Sequence, residues 1–160
     1  MRTIIVLLCL GGSLWGQELE PIEINFCDVW QHPERYAGQM VRFRTELHFE
    51  RQFVMREGQC GPIPLTYPSS SDVEPKPSFT LMKDNVFSPD PETGKQRFVL
   101  ATMEGRLDSV FSINKKGKII KSGKGFGHLG LYDNRLVLRR LKDVCVVSPN
   151  GNDNCVPLEE

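Results

Sequence analysis

The sequence lacks the short motifs that mark the common hydrolases and metal sites. It contains no G-x-S-x-G or H-E-x-x-H element, and no C-x-x-C or H-x-x-x-H spacing of zinc ligands. A G-x-x-x-x-G-K-S/T phosphate loop is also missing. We therefore expect a protein without enzymatic activity, bound metal or cofactor. A small metal-dependent or hydrolytic enzyme of the cell envelope, using His48 or His128, is the alternative.

Long apolar segments are absent too, and one short apolar run opens the chain. In MRTIIVLLCLGGSLWGQ, Arg2 precedes the apolar residues 4–10, and small residues follow. This order is typical of a secretory signal peptide, because the run is shorter than the roughly 20 residues of a membrane span. The pattern predicts a leader over residues 1–16 and a single exported domain, periplasmic or secreted, over residues 17–160. The alternative is a cytosolic protein with an apolar first strand.

Cysteine is scarce, and removal of the leader would take away Cys9 and leave four cysteines. An even number of cysteines in an exported domain indicates disulfides. Cys145 and Cys155 flank the turn-rich stretch VVSPNGNDN, which favours a local pair, and Cys27 with Cys60 then follows by elimination. Four cysteines allow three pairings, and the other two stay open.

Helix signals are sparse. The segment CDVWQHPERYAG predicts a short helix that begins near Asp28, is interrupted at Pro33 and ends at Gly38. From residue 41 to residue 55, apolar side chains alternate with polar ones. This period predicts a strand with one buried face, which curves or turns back near Arg51.

Strand patterns continue through the second half of the chain. RFVLATMEGRL and RLVLRRLKDVCVV predict two more strands, with a bulge or bend at Gly105. The proline-rich residues 61–78 predict an exposed loop and no strand. Together these patterns predict a mainly β fold, a small antiparallel barrel with one short N-terminal helix.

Two stretches, HPERYAGQMVRFRTEL and EGRLDSV followed by GFGHLGLYDNRLVLRRLKDV, carry a recognisable pattern. The first has Pro33, Tyr36 and Gly38 before a strand, and the second has a G-F-G-H element and Tyr132 at a hairpin. Both resemble small exported bacterial proteins with a barrel of the oligonucleotide/oligosaccharide-binding (OB) type. The resemblance covers residues 33–144 and implies an OB-like barrel and export, without implying a ligand.

The glycine-rich stretch GKGFGHLG, residues 123–130, is the most distinctive loop of the sequence. It opens a β-strand and no helix, so there is no helix N-terminus to bind a phosphate. His128 has no cysteine, serine or acid at a spacing that suggests a catalytic partner. We therefore predict a structural hairpin of Gly125, Gly127 and His128, in which a ring nitrogen of His128 bonds a backbone group.

Two polar clusters have a weaker likeness to metal sites. Glu46, His48 and Glu50 would project from one face of an uninterrupted strand, about 6–7 Å apart. We interpret them as the solvent-facing side of that strand. The alternating asparagines of SPNGNDNC are spaced like calcium ligands, but this stretch has one acid, so we interpret it as a turn closed by a disulfide.

Charge is uneven along a chain that is neutral overall. Residues 115–142 carry nine basic side chains against Asp133 alone, a net charge of +8, whereas the rest of the chain after residue 16 has 10 basic and 19 acidic residues. A local excess of charge can recruit an anionic partner. The ligand-binding residues that we predict in this segment are Lys115, Lys116, Lys118, Lys121, Arg135 and Arg139.

The predicted compartment narrows the choice of partner. Outside the cytoplasm an anionic polymer or the headgroups of a membrane surface are commoner partners than nucleic acid, which we do not expect. The sequence thus predicts an exported, non-catalytic binding or structural module. The alternative for the basic segment is pairing with acidic residues of neighbouring strands, which needs no partner.

Overall fold

A computed structural model describes residues 20–67, 69, 73–74, 76–90 and 93–147, with the backbone of residues 154–155. The predicted leader lies outside these residues. A short 3-10 turn occupies His128–Gly130. The other elements are, in chain order, β1 (Ile22–Glu23), α1 (Phe26–Gln31), α2 (Pro33–Tyr36), β2 (Met40–Phe49), β3 (Phe53–Glu57), β4 (Cys60–Thr66), α3 (Lys76–Val86), β5 (Phe98–Ser109), β6 (Phe111–Ile113), β7 (Ile119–Lys121), β8 (Asn134–Val147) and β9 (Asn154–Cys155).

Five strands close into the small β-barrel that the sequence predicts. β2, β3 and β4 form an antiparallel meander, β8 lies beside β4, and β5 pairs with both β8 and β2 to close the ring. The pairing of β4 with β8 is parallel, as is that of β1 with β2. Because α3 and β5 intervene between β4 and β8, the chain can return to run in the same direction as β4.

The barrel interior is filled by the alternating residues of its strands. On β2 the inward positions Val41, Phe43 and Leu47 are buried, as the period of two predicts. Thr45 shares this face, and its hydroxyl donates a hydrogen bond to the carbonyl oxygen of Arg56 at 2.6 Å, which satisfies the polar group inside the core. The chain then turns between Phe49 and Phe53, and this confirms the turn predicted near Arg51.

The bulge predicted at Gly105 is present. The register of β5 against β8 shifts between Glu104, opposite Arg140, and Gly105, opposite Leu138, so Arg139 is the extra residue. A Cβ atom on Gly105 would collide with the carbonyl oxygen of Val137, which explains the need for glycine. The bulge also interrupts the alternation along β8.

The N-terminal helix consists of two short helices, α1 and α2, divided before Pro33, as the proline suggests. The start at Asp28 was wrong: α1 begins at Phe26, because the side chain of Asn25 caps it by accepting a hydrogen bond from the Cys27 amide at 2.7 Å. Gly38 adopts the predicted left-handed conformation, with φ of 80°.

The prediction of an exposed loop over residues 61–78 was wrong. Most of β4 lies in this segment. Among the described pairings, β4 meets β8 only at Leu65 and Thr66, so Pro62 and Pro64 have a neighbouring strand on one side only. The strand tolerates these prolines because no second strand needs a hydrogen bond from their nitrogen atoms. The segment also contains the start of α3, where Pro77 falls in the first turn and replaces an amide that has no helical partner.

The predicted disulfide between Cys27 and Cys60 is present and joins α1 to the start of β4, with a Cα–Cα distance of 5.4 Å. Cys145 is also disulfide-bonded, and the backbone register of β8 and β9 places Cys155 opposite it. The pairing of Cys145 with Cys155 stays a prediction that this register favours.

Candidate functional site

A short hairpin of β6 and β7 carries the densest positive charge. Its turn, residues 114–118, is called the basic turn below, and it is fixed by Asn114, whose side-chain oxygen accepts hydrogen bonds from the amides of Lys116 at 2.8 Å and Lys118 at 3.0 Å. Lys115, Lys116 and Lys118 are exposed. Among the described residues no acidic side chain forms an ion pair with any of them. The basic turn therefore presents three uncompensated charges on an ordered backbone.

A cleft of about 630 Å³ lies at the base of this hairpin. Helices α1 and α2 form one wall, Pro62 of β4 contributes to the lining, and the hairpin with residues 131–134 completes it. Its volume is in the range of small-ligand sites. The larger apolar and aromatic side chains that line it are Trp30, Phe111, Ile119, Leu131 and Tyr132.

Two predicted binding residues sit next to the cleft but are engaged with acids. Lys121 forms an ion pair with Asp133 at 2.7 Å and lies over the ring of Phe111 at 5.4 Å. Arg135 forms an ion pair with Asp108 at 2.8 Å and lies over the ring of Phe126 at 4.7 Å. These contacts neutralise both cations, which leaves the three lysines of the basic turn as the largest group of basic side chains in the segment without a described acidic partner.

Asp108 anchors this arrangement, because it accepts hydrogen bonds from both Arg106 and Arg135 at 2.9 Å. Burial alone would raise the pKa of Asp108, but these hydrogen bonds and the two positive charges outweigh burial, so its pKa lies below the ordinary 3.8. Because the pKa of Asp108 is lower in the folded protein than in the unfolded chain, its ionised carboxylate stabilises the fold at any pH above the pKa of the unfolded chain. This stabilisation is lost as the pH falls through the pKa of the folded protein.

Replacing Asp108 by asparagine is therefore expected to lower the free energy of unfolding by about 1 kcal/mol at pH 7. The deficit relative to the wild type should shrink as the pH falls below about 4, because the carboxyl group of the unfolded wild-type chain then binds a proton and that of the folded protein does so only at lower pH. Urea denaturation of both proteins in steps from pH 7 to pH 2 measures the difference. A deficit that stays constant over this range would show that the charge of Asp108 does not stabilise the fold.

Lys124 is exposed in the glycine-rich loop, and the other remaining basic residues of the segment lie on β8 in the barrel wall. Arg139 is exposed in the β8 bulge and lies away from the hairpin along the strand. Arg140 and Arg42 flank the buried Glu104, at 3.7 and 2.8 Å. Cross-strand pairing, the alternative interpretation of the charge pattern, thus accounts for Arg140 and for Arg135, which lies opposite its partner Asp108. It does not account for the lysines of the basic turn.

The glycine-rich loop is held by backbone contacts. Phe126 in this loop and Tyr132 just after it pair through two backbone hydrogen bonds, and a Cβ atom on Gly125 would come within 2.7 Å of the Tyr132 carbonyl oxygen. Gly127 has a φ of 70°, and its backbone leaves room for the side chain of Gln52. These contacts require glycine at both positions, in keeping with a structural hairpin.

The role expected of the His128 ring is not the one observed. The side chain is exposed, and no hydrogen bond of its ring is seen within the described part of the chain. The contact is made by the backbone instead, because the His128 amide donates to the side-chain oxygen of Gln52 at 3.0 Å. Residue 128 thus ties the loop to the β2–β3 turn by its main chain.

The candidate metal residues do not converge. His48 pairs with Glu46 at 3.0 Å and stacks on Phe98, whereas Glu50 pairs with Arg56 at 2.7 Å across the β2–β3 hairpin. No group of three potential metal-binding side chains occurs among the residues that the structure describes. The asparagines of SPNGNDNC lie outside the described side chains.

Sequence reasoning missed the cleft because its lining comes from distant segments. Trp30, Pro62 and Leu131 are more than thirty residues apart in the chain and meet only in the folded barrel. A signal did exist: KIIK and HLGLY place large apolar residues between lysines and glycines, where loops usually carry polar side chains.

No known family model, curated protein or solved structure matches the chain. The resemblance to exported OB-like proteins stays a prediction.

Proposed function

We propose that the protein is an exported, non-catalytic binding module that takes an anionic ligand, a polymer or a headgroup, at the basic turn. The observation that carries this proposal is the set of three exposed lysines, Lys115, Lys116 and Lys118, without described acidic partners on a turn ordered by Asn114. Ordered charge loses less conformational entropy on binding than charge on a flexible tail.

The position of the turn on the barrel supports the same proposal. It belongs to the connection between the last two barrel strands, β5 and β8, and OB-type barrels bind their ligands with this loop and the neighbouring strands. The connection between the first two barrel strands is adjacent, since Gln52 contacts His128. The disulfide between Cys27 and Cys60 fits an oxidising compartment, in line with export. None of the described helices has the length and apolar character to cross a membrane.

Replacing Lys115, Lys116 and Lys118 with glutamate is expected to weaken binding to a soluble anionic polymer, dextran sulfate, at least tenfold at low salt. The fold should be retained, because all three residues are exposed on a turn. For the wild type, raising the ionic strength from about 0.02 M to about 0.3 M should weaken binding strongly, since exposed attractions are screened. Titration calorimetry or polymer-coated surfaces measure both effects.

The matched control changes the same number of charges elsewhere. The control positions are Lys76 and Lys83 on α3 and Lys95, all of which come before the first residue of β5 in the chain. The basic turn instead follows the last residue of this 12-residue strand, so the two sets are separated by its length. Glutamate at these three positions should therefore leave most of the binding intact. Equal losses in the two variants would mean that only net charge matters, and the proposal would then fail.

A further inference from the structure

Apolar side chains surround the basic turn and project into solvent. Ile113 and Ile119 stand opposite each other on the hairpin and are 52% and 59% exposed, and Leu131 is 70% exposed. Single exposed apolar residues are common, but a group of large ones beside ordered lysines marks an interaction surface.

The strand register sets which apolar residues share a surface. Residues directly opposite in an antiparallel pair project to the same side, and successive residues alternate. Phe111, Ile113, Ile119 and Lys121 therefore lie on one face of the hairpin, and Ile120 lies on the other with Ser112. Since Phe111 and Ile119 line the cleft with Leu131, the first face is the cleft side.

We propose that this cleft side of the hairpin docks on an anionic lipid bilayer. The lysines of the basic turn contact the headgroups, and Ile113, Ile119 and Leu131 enter the boundary between headgroups and acyl chains. The inference rests on the proposed function and specifies the source of its anionic groups. Interfacial binding needs both elements, because basic charge attracts the surface and apolar area holds the protein there.

The charges around the cleft favour a surface over a small soluble anion. The described lining of the cleft contains two acids, Glu34 and Asp133, and no lysine or arginine, and the neighbouring Lys121 is paired with Asp133, so the cleft offers no free cation to a small anion. Three lysines without described acidic partners are on the projecting turn, beside the exposed isoleucines. A polymer of sulfates or phosphates would use the lysines and leave the apolar side chains in water.

The test compares vesicles of phosphatidylcholine with vesicles that also contain phosphatidylglycerol, using the exported form of the protein. Trp30 is the only tryptophan after residue 16 and lines the cleft, so its emission should shift to shorter wavelength on docking. The shift should be absent with neutral vesicles and in a Trp30→Phe variant, in which co-sedimentation still reports binding. Glutamate at Lys115, Lys116 and Lys118 should reduce binding about a hundredfold or more, since each lysine near an anionic surface contributes about fivefold.

Adjacent isoleucines supply a matched pair of variants. Ile119→Thr keeps the β-branched shape and should weaken vesicle binding about fivefold, whereas Ile120→Thr, on the opposite face, should bind as the wild type does. The triple change Ile113→Thr, Ile119→Thr and Leu131→Ser should weaken vesicle binding at least twentyfold and leave binding to dextran sulfate unchanged.

The outcomes separate the two proposals. Vesicle binding that survives the triple apolar change, or equal losses for Ile119→Thr and Ile120→Thr, would overturn the bilayer inference. Binding to dextran sulfate without binding to anionic vesicles would also overturn it and leave the proposed function standing. Absence of binding to both would overturn the two together.

Discussion

Replacing Cys27 and Cys60 together with serine is expected to lower the free energy of unfolding by about 3–4 kcal/mol. The bond joins residues 33 positions apart and fastens α1 to β4. Without it the unfolded chain gains conformational freedom, because a closed loop of this length restricts the denatured ensemble. Urea denaturation of the oxidised wild type and the double variant measures the change, and both should unfold in one cooperative transition.

The comparison for this prediction is the second pair of cysteines. Cys145 and Cys155, the predicted pair, are ten positions apart, so the loss expected on replacing both with serine is smaller, about 2.5–3 kcal/mol. The first pair also holds α1, whose Phe26 and Val29 are buried in the core. A variant without Cys27 and Cys60 that is more stable than the variant without Cys145 and Cys155 would contradict the prediction.

The features that follow from local chemistry could be predicted from the sequence. The alternation of β2 shows directly which side chains are buried, since one face of the strand meets the core and the other meets water. Gly38 and Gly105 are informative because glycine adopts the left-handed conformation at a helix end without strain, and because only glycine permits a backbone contact as close as that with Val137. The basic turn is likewise local, since asparagine and glycine form the turn on which the lysines sit.

Several features that depend on tertiary contacts could not be predicted. Proline argues against a strand, yet Pro64 pairs with Val54 because its other side has no partner strand. The pairing of Lys121 and Arg135 with acids separates them from the lysines of the basic turn, and nothing in the local sequence distinguishes these cations. The cleft has the same origin, because its walls come from segments that are far apart in the chain.

Helix α3 is the largest element that the sequence patterns concealed, and its burial predicts a large energetic effect. Phe79, Met82 and Val86 are spaced by three and four residues, so they form one apolar stripe, and all three belong to the barrel core. The stripe is narrow, and prolines and serines precede it, which is why the segment resembles a loop.

Replacing Phe79 with alanine is expected to lower the free energy of unfolding by about 3–5 kcal/mol. Its side chain is 3% exposed and its ring packs against Tyr67, with centroids 4.8 Å apart. The change removes buried apolar area and leaves a cavity between α3 and the strands, which the packed barrel cannot fill. Chemical denaturation with circular dichroism gives the value.

Phe87, just beyond the end of α3, is the matched control for this substitution. It loses the same atoms on mutation to alanine, but it is 46% exposed and packs by edge-to-face contacts with Phe49 at 4.5 Å and Phe53 at 5.1 Å. The expected loss is therefore about 1–1.5 kcal/mol, set by aromatic contacts and not by a cavity. If both alanine variants lost the same stability, α3 would not bury Phe79 in the barrel core. If Phe79→Ala alone caused the large loss, the helix would be an integral part of the barrel, because only a side chain enclosed on all sides leaves a cavity behind it.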